Sequence, residues 1–216
     1  MLAKIKCAIE EMIEAFRENP FEFLYESDVR ACLSCILHKK FSSEDDQISM
    51  KTTESGPKFL FGKFVSFSPV KTEYPSKKSK LSLFKKNFDI VVIDRWKIDD
   101  NTHLIKLAEK KNEFFWNRKI KAAIEIKLCQ LGDTFLDKFN EMGKDTCKFR
   151  EYRDTILKNE SLIGLALLFV QPRKEDIKKM LSGYHWKLRK SLDFLKEGIT
   201  SLVITESELL EVLDKP

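Results

Sequence analysis

Glycine is scarce in this chain, seven in 216 residues, and no glycine-rich loop joins an apolar run to a helical pattern. Dinucleotide and nucleoside triphosphate sites that need a Gly-rich turn therefore have no motif to stand on. Histidine is scarcer still: His38, His103 and His185 are scattered, and none stands at a diagnostic spacing from a serine or cysteine, which excludes a readable catalytic triad. The five cysteines, Cys7, Cys32, Cys35, Cys129 and Cys147, are odd in number and lie mostly in apolar segments, unlike a secreted disulfide framework. They are expected as reduced core residues. Cys32 and Cys35 form a CxxC, but mid-helix and with no second pair to complete a zinc site. No apolar run reaches the ~20 residues that a membrane helix needs; the longest, SLIGLALLFV at 161–170, falls short. The opening MLAKIKCAIEEMIEAF lacks the apolar core and small-residue cleavage site of a signal peptide. A soluble, intracellular protein without a membrane partner is the expectation, cytoplasmic with nucleoid or nucleus left open. No internal repeat is visible.

What is present suits one α/β domain over residues 1–216: 43% hydrophobic residues and seventeen Phe can fill one core. Ile5, Ile9, Met12, Ile13 and Phe16 share a helical stripe that must end before Asn19-Pro20. Val29, Leu33, Ile36 and Leu37 mark a second helix over 27–39, with Ser27 or Asp28 as N-cap. Residues 40–57 are polar and read as a loop. KFLFGKFVSFSPVKTEY reads as a strand or hairpin whose Phe59, Phe61, Phe64 and Phe67 are expected in the core rather than stacked on bases. Residues 95–119 form an insertion with a helix through HLIKLAEKKNEFFW, and helical segments follow Gln130. SLIGLALLFV has the continuous apolarity of a strand buried on both faces. Residues 173–196 are expected as a basic amphipathic helical region broken near Ser182-Gly183, GITSLVITE as a strand, and SELLEVLD as a closing helix capped by Ser207. Helices before and after a mixed sheet make a three-layer α/β/α sandwich.

Two apolar runs carry charges that a strand core would not ordinarily hold. KAAIEIKL at 121–128 places Glu125 and Lys127 on one face of a strand, with Ile124, Ile126 and Leu128 on the other. FDIVVID at 88–94 presents Asp89 at the mouth of a second strand. Buried charge costs several kcal/mol unless a partner or a metal compensates. Were the two strands neighbours, Asp89 would approach Glu125 at about 5 Å. A hard divalent cation would relieve the repulsion between those carboxylates. Lys127 would then orient or help deprotonate an attacking water, or balance charge on phosphorus. The competing reading is a buried Asp89–Lys127 ion pair without catalysis.

Asp89 followed by Glu125-Ile126-Lys127 on consecutive strands resembles the PD-(D/E)XK nuclease superfamily, and the resemblance rests on those few residues. It implies a restriction endonuclease-like fold and Mg²⁺, with Mn²⁺ as a substitute, held by Asp89, Glu125 and the carbonyl of Ile126, while Lys127 assists catalysis. The proline that names the motif is absent, Asn87-Phe88 standing before Asp89. Glu26, on the helix before the first core strand, matches a further acid of many members, although it also suits the positive end of a helix dipole. Glu73 in VKTEYP resembles an acidic first-strand position, and Gln130 a glutamine that some members carry after the lysine.

Charge distribution agrees with an anionic partner. The net charge is +5, and residues 71–86 hold six lysines against one glutamate. Lys77, Lys78, Lys80, Lys85 and Lys86 in that stretch, and Lys187 and Arg189 in a second, are candidates for phosphate contacts. The resemblance makes DNA the expected substrate, with RNA left open. A homodimer or larger complex would serve the cutting of two strands, though no segment marks an interface. The alternatives are a nucleic-acid-binding or assembly module without turnover on the same fold, and a structural interaction protein.

Overall fold

The computed structural model describes residues 1–45, 47–51, 64–75, 87–94, 120–158, 161–173 and 175–213, with 48–51, 64–67, 73–75 and 87 described as backbone alone. Helix α1 (Leu2–Glu18) buries Ile5, Ile9, Met12, Ile13 and Phe16, the expected stripe. It stops at Asn19, because the residue before a proline is disfavoured in the helical region, and Pro20 opens a single 3₁₀ turn, Pro20–Glu22. Helix α2 (Glu26–Lys40) buries Val29, Leu33, Ile36 and Leu37. Its N-cap is Tyr25, not Ser27 or Asp28. Because the helix starts at Glu26, Asp28 lies in the first turn, and its carboxylate reaches back to accept the backbone N–H groups of Leu24 at 2.9 Å and Tyr25 at 2.8 Å. Those donors have no partner within the helix, so the bonds fix the angle at which the chain enters it.

The architecture is α/β, built on a mixed sheet. A two-stranded antiparallel ribbon pairs β1 (Ile48–Lys51) with β2 (Phe64–Phe67), so a strand stands inside the segment expected as a polar loop. Ile48-Ser-Met50 alternates apolar and polar residues, enough for a short strand within polar surroundings. Among the described residues the main sheet has seven strands, β3 (Val70–Pro75), β4 (Asn87–Ile93), β5 (Ile120–Cys129), β6 (Ile163–Val170), β7 (His185–Arg189), β8 (Gly198–Ile204) and β9 (Leu209–Leu213), in the order β3-β4-β5-β6-β8-β9-β7. β3, β4 and β5 form an antiparallel meander, β5, β6 and β8 run parallel, and β9 and β7 close the far edge antiparallel. Helix α3 (Phe135–Thr155) is the crossover between β5 and β6 that a parallel pair requires.

Alternation along the strands divides the core between two faces. Ile90, Val92, Ile124, Ile126, Leu128, Leu165, Leu167 and Phe169 pack with the stripes of α1 and α2. Val91, Ile93, Ala123, Ala166, Leu168 and Val203 pack beneath Phe135, Phe139, Met142, Phe149 and Tyr152 of α3, and Phe88, at the start of β4, joins them against the alternation. β6 is covered from both sides, and every one of its residues is buried, as its unbroken apolar sequence foretells. Gly164 lets α3 lie close against it: a β-carbon there would meet Cγ of Phe149 at 3.1 Å.

The C-terminal third departs from its sequence reading. Among the described residues of the expected basic helical region, only Ile177–Met180 forms an α-helix, α4, and His185–Arg189 is strand β7. SELLEVLD is no helix; Leu209–Leu213 forms β9, so Ser207 caps nothing. The reason lies in pairing: Leu210 opposes Val203 and Val212 opposes Ser201 in β8, a period of two that puts both apolar residues against the α3-side core. Glu211 stands opposite Lys187 on β7 and diagonal to Arg189, whose guanidinium donates to its carboxylate through Nε at 2.8 Å. The cysteines are not all core residues either. Cys129 is buried, but Cys7, Cys35 and Cys147 are exposed on outward helix faces. The 95–119 insertion, and Phe59 and Phe61, lie outside the described residues.

Candidate active site

The site is built where β4 and β5 part. Their pairing ends at Ile90↔Ile124; beyond it the free N–H of Ile126 donates to Oδ2 of Asp89 at 2.8 Å instead of to a strand carbonyl. A side chain thus completes the ladder where the backbone leaves it. The other oxygen of Asp89 accepts from the Arg30 guanidinium of α2 at 3.2 Å.

On β5, Ile124, Ile126 and Leu128 point to the α1/α2 face, so Glu125 and Lys127 point together to the opposite side, as strand alternation demands. There α3 meets them. Glu125 is 4% exposed and accepts a hydrogen bond from the ammonium of Lys148, which also lies over the Phe88 ring, 4.4 Å from its centroid. Lys127 Nζ stands 3.3 Å from the buried carboxylate of Asp145 and 3.9 Å from Glu26, and it donates to the carbonyl of Ile126 at 3.3 Å. Lys138 holds Glu26 from the other side at 3.3 Å. Neither the Asp89–Lys127 pair nor a purely dipolar Glu26 describes this arrangement: Asp89 pairs with Arg30, and Glu26 joins Lys127 to Lys138.

Electrostatics follow from burial and crowding. Burial pushes the Glu125 carboxyl up, Lys148 pulls it down, and Asp89 and Asp145 push it up again, to about 8. Burial also opposes the charge on Lys127, yet Asp145, Glu26, Asp89 and Glu125 outweigh it and hold the ammonium above its usual value. Lys127 is therefore a cation at neutral pH, suited to balancing negative charge and not to taking a proton from water.

Glu73 lies in β3, its side chain outside the described residues. Gln130 donates its side-chain amide to the Leu24 carbonyl at the entrance to α2. Lys77, Lys78, Lys80, Lys85 and Lys86 fall outside the described residues. Lys187 is exposed and Arg189 is tied to Glu211, both on edge strand β7, four strands from β5. Sequence reasoning missed Arg30, Lys138, Asp145 and Lys148. A signal for Asp145 was present: it stands three residues after Met142 and four before Phe149, inside the apolar stripe of α3. A polar cavity of about 300 Å³, lined by Arg173, Asp176, Lys178 and Glu208 among others, opens at the carboxyl ends of β6 and β8, and no sequence-predicted site residue lines it.

Among the described residues no three His, Cys, Asp or Glu side chains converge as a ready metal cage. The donors at the fork are the carboxylates of Asp89 and Glu125 and the Ile126 carbonyl, which already accepts from Lys127. All are hard oxygens, a set that fits Mg²⁺ or Mn²⁺ in kind, since such ions bind few carboxylates and keep waters. The negative charge of Asp89 and Asp145 beside the buried Glu125 carboxyl, which helps burial to raise it, is charge of the kind that a cation relieves. Compared with protein families, with curated proteins and with solved structures, the chain matches none.

Proposed function

We infer that this protein is a metal-dependent nuclease that hydrolyses phosphodiester bonds, with DNA as its substrate, and that its sheet and flanking helices form a restriction endonuclease-like three-layer sandwich. One observation carries the reading: Asp89 sits where β4 and β5 part, and Glu125 and Lys127 follow on one face of β5 beside it. Among the described residues the main sheet runs β3-β4-β5-α3-β6 in chain order, an antiparallel meander and then a helical crossover to a parallel strand, with α2 earlier in the chain, which supports the same reading. Asp89, Glu125 and the Ile126 carbonyl would hold Mg²⁺ or Mn²⁺, which when bound polarises the phosphate and acidifies water. Lys127, kept protonated by its carboxylates, presents its ammonium beside that carbonyl, where it neutralises charge developing on the phosphate. Glu26 and Asp145 orient it, and Lys138 holds Glu26.

The test is plasmid nicking with Mg²⁺ or Mn²⁺ against EDTA. Wild type should nick only with the ion. Glu125→Gln should lose activity, and Lys127→Ala should lose at least about a hundredfold, the scale of one charge-stabilising donor, with unchanged circular dichroism. Full activity in either variant overturns the assignment. A second reading rests on a specific observation: Arg30 and Lys148 already occupy Asp89 and Glu125. On that reading the protein binds nucleic acid in a salt-dependent way without cleaving it, and gel shifts without nicking would favour it.

A further inference from the structure

We propose that Lys148 is an exchangeable counter-ion, occupying Glu125 until a divalent cation takes its place and thereby setting how tightly the site binds that cation. The proposal rests on the nuclease reading above. Lys148 comes from α3, 23 residues beyond Glu125 in sequence, and its ammonium is directed onto a carboxylate that is almost wholly buried. The ammonium is itself enclosed, the side chain 9% exposed and the charge over the face of Phe88, so it is held at the site and not drawn from passing solvent. A dication and an ammonium on the same buried carboxylate repel strongly in a medium of low polarisability. Loading the ion therefore requires Lys148 to leave Glu125.

A destination exists on the same helix. Asp145 lies three residues before Lys148, the spacing at which helical side chains meet, and its carboxylate is buried beside Lys127. When Lys148 moves one turn back, Asp145 receives a second cation while Glu125 is released. Arg30 on Asp89 is the corresponding ion on the other carboxylate, but it is less enclosed, 27% exposed, and turns out to solvent more readily. Lys148 is thus the stronger competitor. A plain structural counter-ion would behave differently, since removing it would loosen the site and would not tighten cation binding.

The experiment is calorimetric titration of the full chain with Mn²⁺ at pH 8.5, without nucleic acid. Lys148→Met should bind Mn²⁺ at least about tenfold more tightly than wild type, and Lys148→Arg should stay within about threefold of wild type, a tenfold change being the signature of one modest interaction. Glu125→Gln should abolish binding in both backgrounds. If Lys148→Met fails to fold by circular dichroism, Lys148→Gln takes its place. Mn²⁺ affinity that is equal to or below wild type in the neutral variant overturns the exchange and leaves the nuclease reading standing. Absence of Mn²⁺ binding in every protein overturns both.

Discussion

Glu125→Gln gives the sharpest test of the electrostatics, because it removes a titration while keeping shape. The Glu125 carboxyl rises from an unfolded value of 4.5 to about 8 in the folded protein, chiefly through burial. The folded chain therefore holds this proton more firmly than the unfolded chain. The stability it contributes is complete below pH 4.5 and is lost as pH rises through about 8. Each pH unit between those two values corresponds to about 1.4 kcal/mol, so the rise sets a ceiling of about 5 kcal/mol across that window. For a chain of this size that ceiling corresponds to a fall in Tm of about 10–20 °C. Glutamine has no proton to lose. It also removes the partner of Lys148, but that is principally a constant offset, and the test reads the slope. Thermal and denaturant melts at pH 5, 6.5 and 8 should show the stability of Glu125→Gln relative to wild type rising with pH. Parallel pH profiles for the two proteins would refute the argument that burial controls this carboxyl.

Other consequences follow from packing and hydrogen bonding. Gly164→Ala forces a methyl to within 3.1 Å of Phe149 and should cost about 1–3 kcal/mol in denaturant unfolding, the range for overpacking. Gln171→Ala should cost about 1–3 kcal/mol, because the buried amide that serves the carbonyls of Pro20 and Phe23 would be gone. Asp28→Ala should cost about 1 kcal/mol through the loss of its bonds to Leu24 and Tyr25.

The sequence disclosed features that depend on a single element. α1, α2, β5 and β6 were legible because their hydrophobic periods are long and unmixed, and the shared face of Glu125 and Lys127 follows from strand geometry alone. Asp89 was legible as a charge at the mouth of an apolar run. What could not be read was partnership. Arg30 reaches Asp89 from 59 residues away in sequence, and Lys148 and Asp145 enter only because the β5-to-β6 crossover lays α3 over that face. Leu209–Leu213 misled for a related reason: LLEVL fits a helix by composition, and only its register with β8 makes it a strand. The likeness to a nuclease site therefore came from local pattern, whereas the charge balance around it is a product of tertiary structure.

On the nuclease reading, Asp89 and Glu125 jointly hold a divalent cation. Crystals of the full chain grown with Mn²⁺ and measured at the manganese edge test it directly. One anomalous peak is expected in direct coordination with both carboxylates and the Ile126 carbonyl, with the Lys148 ammonium withdrawn from Glu125. A map with Lys148 still on Glu125 and no manganese at the fork, at Mn²⁺ concentrations that support any cleavage, would contradict it.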